Sequence, residues 1–174
     1  MDRGAHYHFK NKLEILLSAV EELAKDYGVR LDRHLKVANG DPDLELRAFV
    51  DAHLHLGKEA DPEALACWIN ISGEALREAR VRKAFARVMS DSAARLCDIL
   101  KRGTALELFS CAEPEVAAAA IVATIQGYYV LAATAREIIP HGSAARATMA
   151  MVEGLMAPSS ATEPPRLPRP ARKR

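Results

Sequence analysis

An all-α fold follows from three features of this 174-residue sequence: its composition, the spacing of its apolar residues and the residues that punctuate them. Hydrophobic residues make up 49% of the chain but aromatic ones only 5%. Ala and Leu lead, and such side chains lose little rotamer freedom in a helix, whereas strands favour aromatic and β-branched residues. Apolar positions recur at three- and four-residue steps, the period of a helix with one buried stripe. Asp-Pro and Glu-Pro pairs stand where such stripes begin, the acid capping free amides and the proline having no amide to lose. The length suits one main folding unit whose core needs no metal or disulfide.

The first helix starts at Asn11-Lys12-Leu13-Glu14, a capping box in which the Asn11 side chain accepts from the Glu14 amide. Leu13, Leu16, Leu17, Val20, Leu23, Ala24, Tyr27, Leu31 and Leu35 form its stripe. Gly28 inside it costs about 1 kcal/mol relative to Ala, a weak spot, and Asn39-Gly40 is the stop signal. Asp41-Pro42 and Asp61-Pro62 open two helices, over 42–56 and 62–78. Val81, Ala84, Phe85, Val88, Met89, Leu96, Ile99 and Leu100 continue the period through a fourth long helix, over 80–101. Ser90-Asp91-Ser92 is its breaking point and Arg102-Gly103 its terminus.

Glu113-Pro114 opens the most apolar stretch, 116–133, which is apolar on more than one face and so needs cover on more than one face. Pro140, His141, Gly142 and Ser143 make a turn and cap, and Ala147, Met149, Ala150, Val152, Leu155 and Met156 mark a final helix. Small residues on these last two helices allow close helix approach, and two such helices from each of two copies would make a four-helix homodimer interface. The positions expected there are Val116, Ala120, Ala123, Gln126, Gly127 and Val130 on one helix, with Ala147, Met151 and Leu155 on the other. The tail from Ala157, rich in Pro and Arg and without apolar period, reads as disordered.

Net charge is +1, but the tail carries Arg166, Arg169, Arg172, Lys173 and Arg174 against Glu163, which leaves the body mildly acidic. Any nucleic-acid contact must therefore come from a local patch. Cys67, Cys97 and Cys111 are far apart and odd in number, and read as small buried hydrophobes on helices in a reducing compartment. The charged first twenty residues and the interruptions in 116–133 point away from a secretory signal and a membrane span. His53-x-His55 on a helix would place the two rings roughly 200° apart, too far round to share one ion. No phosphate loop, nucleophile elbow or paired-cysteine zinc pattern appears, so neither enzyme chemistry, metal nor cofactor is expected.

The segment Arg3-Gly4-Ala5-His6-Tyr7-His8-Phe9-Lys10-Asn11-Lys12, followed by an apolar helix, resembles the end of the helix-turn-helix of the TetR/AcrR family of transcriptional regulators, where the recognition helix closes in an aromatic cluster and a Lys opens the next helix. The later helices resemble that family in number and order. Gly4 departs from the pattern, sitting one residue too close to Phe9. The resemblance implies three parts: residues 1–12, a remnant of the helix-turn-helix; 13–156, a helical ligand-binding and dimerisation domain; and 157–174, the basic tail. It also implies a cytoplasmic, homodimeric, ligand-responsive repressor whose DNA-binding domain is incomplete in this chain, its first two helices being absent. A reading helix is held in the groove by the helix packed behind it, so DNA binding is expected only where those helices are supplied.

Family-like DNA contacts would come from His6, Tyr7, Lys10 and Lys12, with Arg3 the side chain suited to a base edge. Lys12 is equally what a solvated surface lysine looks like. An effector cavity, for an apolar or cationic small molecule, would be lined by Phe49, His53, Trp68, Ile69, Ser72, Phe85, Met89, Cys97, Tyr128 and Tyr129. Spacing alone makes these residues core as readily as pocket, and the resemblance decides for a sensor. The alternative expectation is a helical protein without DNA binding that pairs with an intact relative and sequesters it. A start site placed too far downstream would instead make the chain part of an ordinary repressor.

Overall fold

A computed structural model describes residues 11–54 and 62–156, which fold as six α-helices with no strand among them. The first, α1 (Lys12–Ala38), is capped as its sequence requires: the Asn11 side-chain oxygen accepts from the Glu14 amide at 3.0 Å. It runs unbroken through Gly28 and ends where Asn39 takes a left-handed conformation (φ 49°), which Asn tolerates better than most residues. The second helix, α2 (Pro42–Leu54), starts at Asp41, whose carboxylate accepts the amides of Asp43 and Leu44. Residues 55–61, with His55 and Asp61, lie outside the described residues, as do 1–10 and 157–174.

The third helix, α3 (Pro62–Glu74), is shorter than its sequence suggests, because 75–77 tighten into turns. The fourth, α4 (Ala79–Ala105), is longer: neither Ser90-Asp91-Ser92 nor Arg102-Gly103 interrupts it. Gly103 is buried inside the last turn with the Phe109 ring lying over it. It is there for close approach, not for a stop. The chain leaves α4 through Leu106 and Glu107, the latter at φ 57°. Cys111 then sits buried in the connection to α5, not on a helix as its sequence context suggests, while Cys67 and Cys97 are half-buried on α3 and α4; all three are free thiols. Helix α5 (Pro114–Thr134) begins with Pro in its first turn, and a single 3-10 turn (Arg136–Ile138) leads to α6 (Ala144–Met156).

Helices α2 to α5 enclose the main core around Leu46, Phe49, Leu65, Trp68, Leu96, Leu100, Ile121 and Ile125, each almost fully buried; α6 closes it with Val152 and Met156. Each such side chain contributes about 1.5–3 kcal/mol. A smaller cluster of Val20, Ile71, Ala75 and Val81 ties the front half of α1 to the end of α3 and the start of α4. Ion pairs stitch the surface: Arg95–Asp32, Lys101–Glu115 and Arg47–Glu153 each join two helices. Their exposure keeps each to a fraction of a kcal/mol up to about 1.

Helix α5 is long and apolar enough to cross a membrane by length and composition alone. Its Ala118, Ile121, Ile125 and Tyr129 instead face the protein core.

Candidate functional site

Scarce aromatics converge on one place. Tyr27 from α1 stacks against His53 of α2 (centroids 5.7 Å apart, planes 7° apart) and against Tyr129 of α5 (5.8 Å), and presents an edge contact to Trp68 of α3 (6.4 Å). Phe49 stacks on His53 one turn along α2 (4.4 Å), and Phe85 of α4 backs Trp68 (4.8 Å). Between these rings lies a cavity of about 210 Å³, walled on the α4 side by Val88, Met89, Ser92 and Arg95 and on the α5 side by Val122, Ile125 and Gln126.

Helical spacing explains which side chains meet there. Phe49 and His53 are four residues apart, and Val122, Ile125, Gln126 and Tyr129 are the i, i+3, i+4, i+7 positions of one face. Of the expected effector contacts, Phe49, His53, Trp68, Met89 and Tyr129 line the cavity. Ile69, Ser72, Phe85, Cys97 and Tyr128 do not. Phe85 stands behind Trp68, and the Ser72 hydroxyl donates to the Ile69 carbonyl at 2.7 Å. Tyr128 is turned about 100° round α5 from Tyr129, and Cys97 packs at the edge of the core.

The α1 wall of Ala24, Tyr27, Gly28 and Leu31 escaped sequence reasoning. Tyr27 is the one Phe, Tyr or Trp on that helix, and this was the available signal.

The polar groups of the cavity are few. The Trp68 indole N–H donates to Gln126 Oε1 at 2.8 Å, tying α3 to α5. Gln126 therefore turns inward, a correction to its expected place on a dimer face, because the buried indole needs an acceptor. His53 Nδ1 lies 2.8 Å from the Phe49 carbonyl. Since a carbonyl only accepts, the neutral ring carries its proton on Nδ1 and presents a lone pair at Nε2.

Burial, joined by the positive charges of Arg30 and Arg95, holds the imidazole below its ordinary pKa, although the Phe49 carbonyl acts the other way. Tyr129 is 2% exposed, and burial raises its phenol well above the usual value. Its hydroxyl lies beside that of Tyr27, which also raises its pKa, and meets no partner at full hydrogen-bond geometry among the described residues. The guanidinium of Arg30 covers Tyr27 at 5.4 Å from the ring centroid, and Arg95 is paired with Asp32 at 2.7 Å.

Away from the cavity, α5 and α6 leave an apolar outer face. Val116, Ala120, Ala123, Gly127 and Val130 are all exposed along α5, and Ala147, Met151 and Leu155 along α6. Half or more of Val116 (60%), Met151 (56%) and Leu155 (52%) is open to solvent. At the other end of the molecule, Lys12 pairs with Glu74 at 2.8 Å, joining the start of α1 to the end of α3. Arg3, His6, Tyr7 and Lys10 lie outside the described residues.

No curated protein matches the chain. A solved structure described as a TetR-family transcriptional regulator from Rhodococcus sp. superposes with a TM-score of 0.69, covering 87% of this chain and 78% of that one at 17% identity; at that identity the likeness speaks to the fold. The family model of the BetI-type transcriptional repressor C-terminal domain matches residues 42–157, two thirds of the sequence. With helix order, cavity and family model in agreement, the chain belongs to the TetR family of transcriptional regulators.

Proposed function

We propose that residues 13–156 are the sensing and self-pairing part of a ligand-responsive repressor that acts in the cytoplasm as a homodimer. The cavity ringed by Tyr27, His53, Trp68 and Tyr129 receives an apolar or cationic small-molecule effector, and the outer face of α5 and α6 receives the same face of a second copy. The observation that carries the reading is the cavity itself: about 210 Å³ enclosed where α1 to α5 meet, ringed by aromatic side chains with few polar groups, the form that small-molecule sites take. DNA contact is assigned to Arg3, His6, Tyr7 and Lys10 ahead of α1 and to Lys12 at its first position. A reading helix is held in the groove by a helix packed behind it, so these contacts read DNA only where such support is present. Effector binding then shifts the population between two arrangements of the dimer that differ in DNA affinity.

A thermal-shift screen of small apolar and cationic compounds tests the sensor. A compound at a hundred times its Kd stabilises by about 2.7 kcal/mol, a readily visible rise in Tm that Tyr129→Phe or Trp68→Ala should reduce. A screen in which no compound raises the Tm would remove the basis for the effector site.

A further inference from the structure

The walls of the cavity are flat. Tyr27 stacks nearly parallel to His53 and more obliquely, at 28°, on Tyr129, and Trp68 closes one side edge-on. Aromatic pairs prefer offset-stacked or edge-to-face arrangements, so a planar ring inserted among these continues a pattern already present. Size narrows the occupant further. An apolar cavity of about 150 Å³ holds benzene, and about 210 Å³ takes a single ring with a short substituent or an indole-sized pair.

Charge separates a neutral ring from a cation. Aromatic faces attract cations, but here a cation is already supplied by the protein, the Arg30 guanidinium over Tyr27. Arg95 lines the mouth. Of the acids nearby, Asp32 is taken by Arg95, and Asp91 sits exposed at the rim, where water screens it. A second positive charge brought in beside His53 would meet chiefly that of Arg30, which already disfavours a charged imidazole there, the charge of Arg95 being largely offset by Asp32.

Two polar side chains of the cavity wall have bonding capacity to spare. The Tyr129 hydroxyl has only the Tyr27 hydroxyl beside it, short of full hydrogen-bond geometry, and His53, its Nδ1 held by the Phe49 carbonyl, offers Nε2 as an acceptor. The Trp68 N–H, by contrast, is satisfied by Gln126.

We propose that the effector is a neutral, planar aromatic of one ring, or of two fused rings, bearing a hydroxyl or N–H that hydrogen-bonds inside the cavity with His53 and Tyr129. This rests on the reading of the cavity as the effector site and narrows it from apolar or cationic compounds to the phenol and indole class. Ring stacking supplies the affinity, and the two polar atoms select ligands that can fill them.

Isothermal calorimetry on the full chain at pH 7.5 with p-cresol, toluene and benzylamine tests it. The three are similar in size but respectively neutral with a hydroxyl, neutral without one, and cationic. p-Cresol should bind roughly tenfold or more tightly than either of the others. Tyr129→Phe and His53→Phe should each bring p-cresol down towards toluene while leaving toluene within a factor of about two. Tightest binding by benzylamine, or equal binding of p-cresol and toluene, overturns the ligand class and leaves the effector site standing. Binding of none of the three removes the site itself.

Discussion

At the scale of single residues, His53 links the cavity to pH. Its folded pKa lies below the ordinary value of 6.5, so the unfolded chain takes up a proton more readily than the folded one. Stability from this group is therefore fully present above about pH 6.5 and is lost as pH falls below it. Denaturant unfolding at pH 7.5, 6.5 and 5.5 should show a decline across the lower interval that His53→Phe reduces; identical slopes for both proteins would contradict a buried neutral imidazole. The other described histidines, His34 and His141, are exposed. Single residues were also where the sequence was hardest to read. Phe49, His53, Trp68, Met89 and Tyr129 could be picked out as polar-tipped or bulky side chains on apolar faces. Tyr27 and Gln126 could not, because a Tyr within an apolar stripe and a Gln on a small-residue helix look the same whether they face a cavity, a core or a twin.

At the scale of elements, the caps and the 3.6-residue period set nearly every helix, since both act within a few residues and need no tertiary knowledge. Asn11, Asp41 and Pro114 each mark a start that the structure uses. The end of α4 was misread because glycine has two unrelated uses: it stops helices, and it makes room. Gly103 makes room, for a Cβ there would lie 2.0 Å from Phe109 Cζ. Gly103→Ala should therefore destabilise by about 1–3 kcal/mol through overpacking, despite a helix-propensity gain of up to about 1 kcal/mol. In a Phe109→Leu background the same change should cost far less. Urea denaturation of the two pairs decides the matter, and equal costs in both backgrounds would show that the ring is not the obstacle.

At the scale of the whole molecule, fold class and family were legible because helix order and an N-terminal motif together narrow the choices. The cavity was not, because it exists only where five helices meet, and spacing along one helix says nothing of its distance from another. The exposed apolar face of α5 and α6 belongs to this scale too. Ala123→Asp, placed on that face, should leave the fold intact by circular dichroism and convert a dimer into a monomer by sedimentation at micromolar concentration. An unchanged sedimentation coefficient would move the interface elsewhere.

Helix α1 crosses from the ion pair at Lys12 to the cavity wall at Tyr27 in one unbroken run. Fifteen residues at 1.5 Å each make an arm of about 22 Å, continuous through Gly28. An occupant that leans on Tyr27 by about 5° would swing the far tip by about 2 Å. Because Val20 and its neighbours lock that end of α1 onto α3 and α4, such a tilt would have to carry the whole front cluster with it, so the rod would pass on strain from the rings as the movement of a packed block, not of a loose tip.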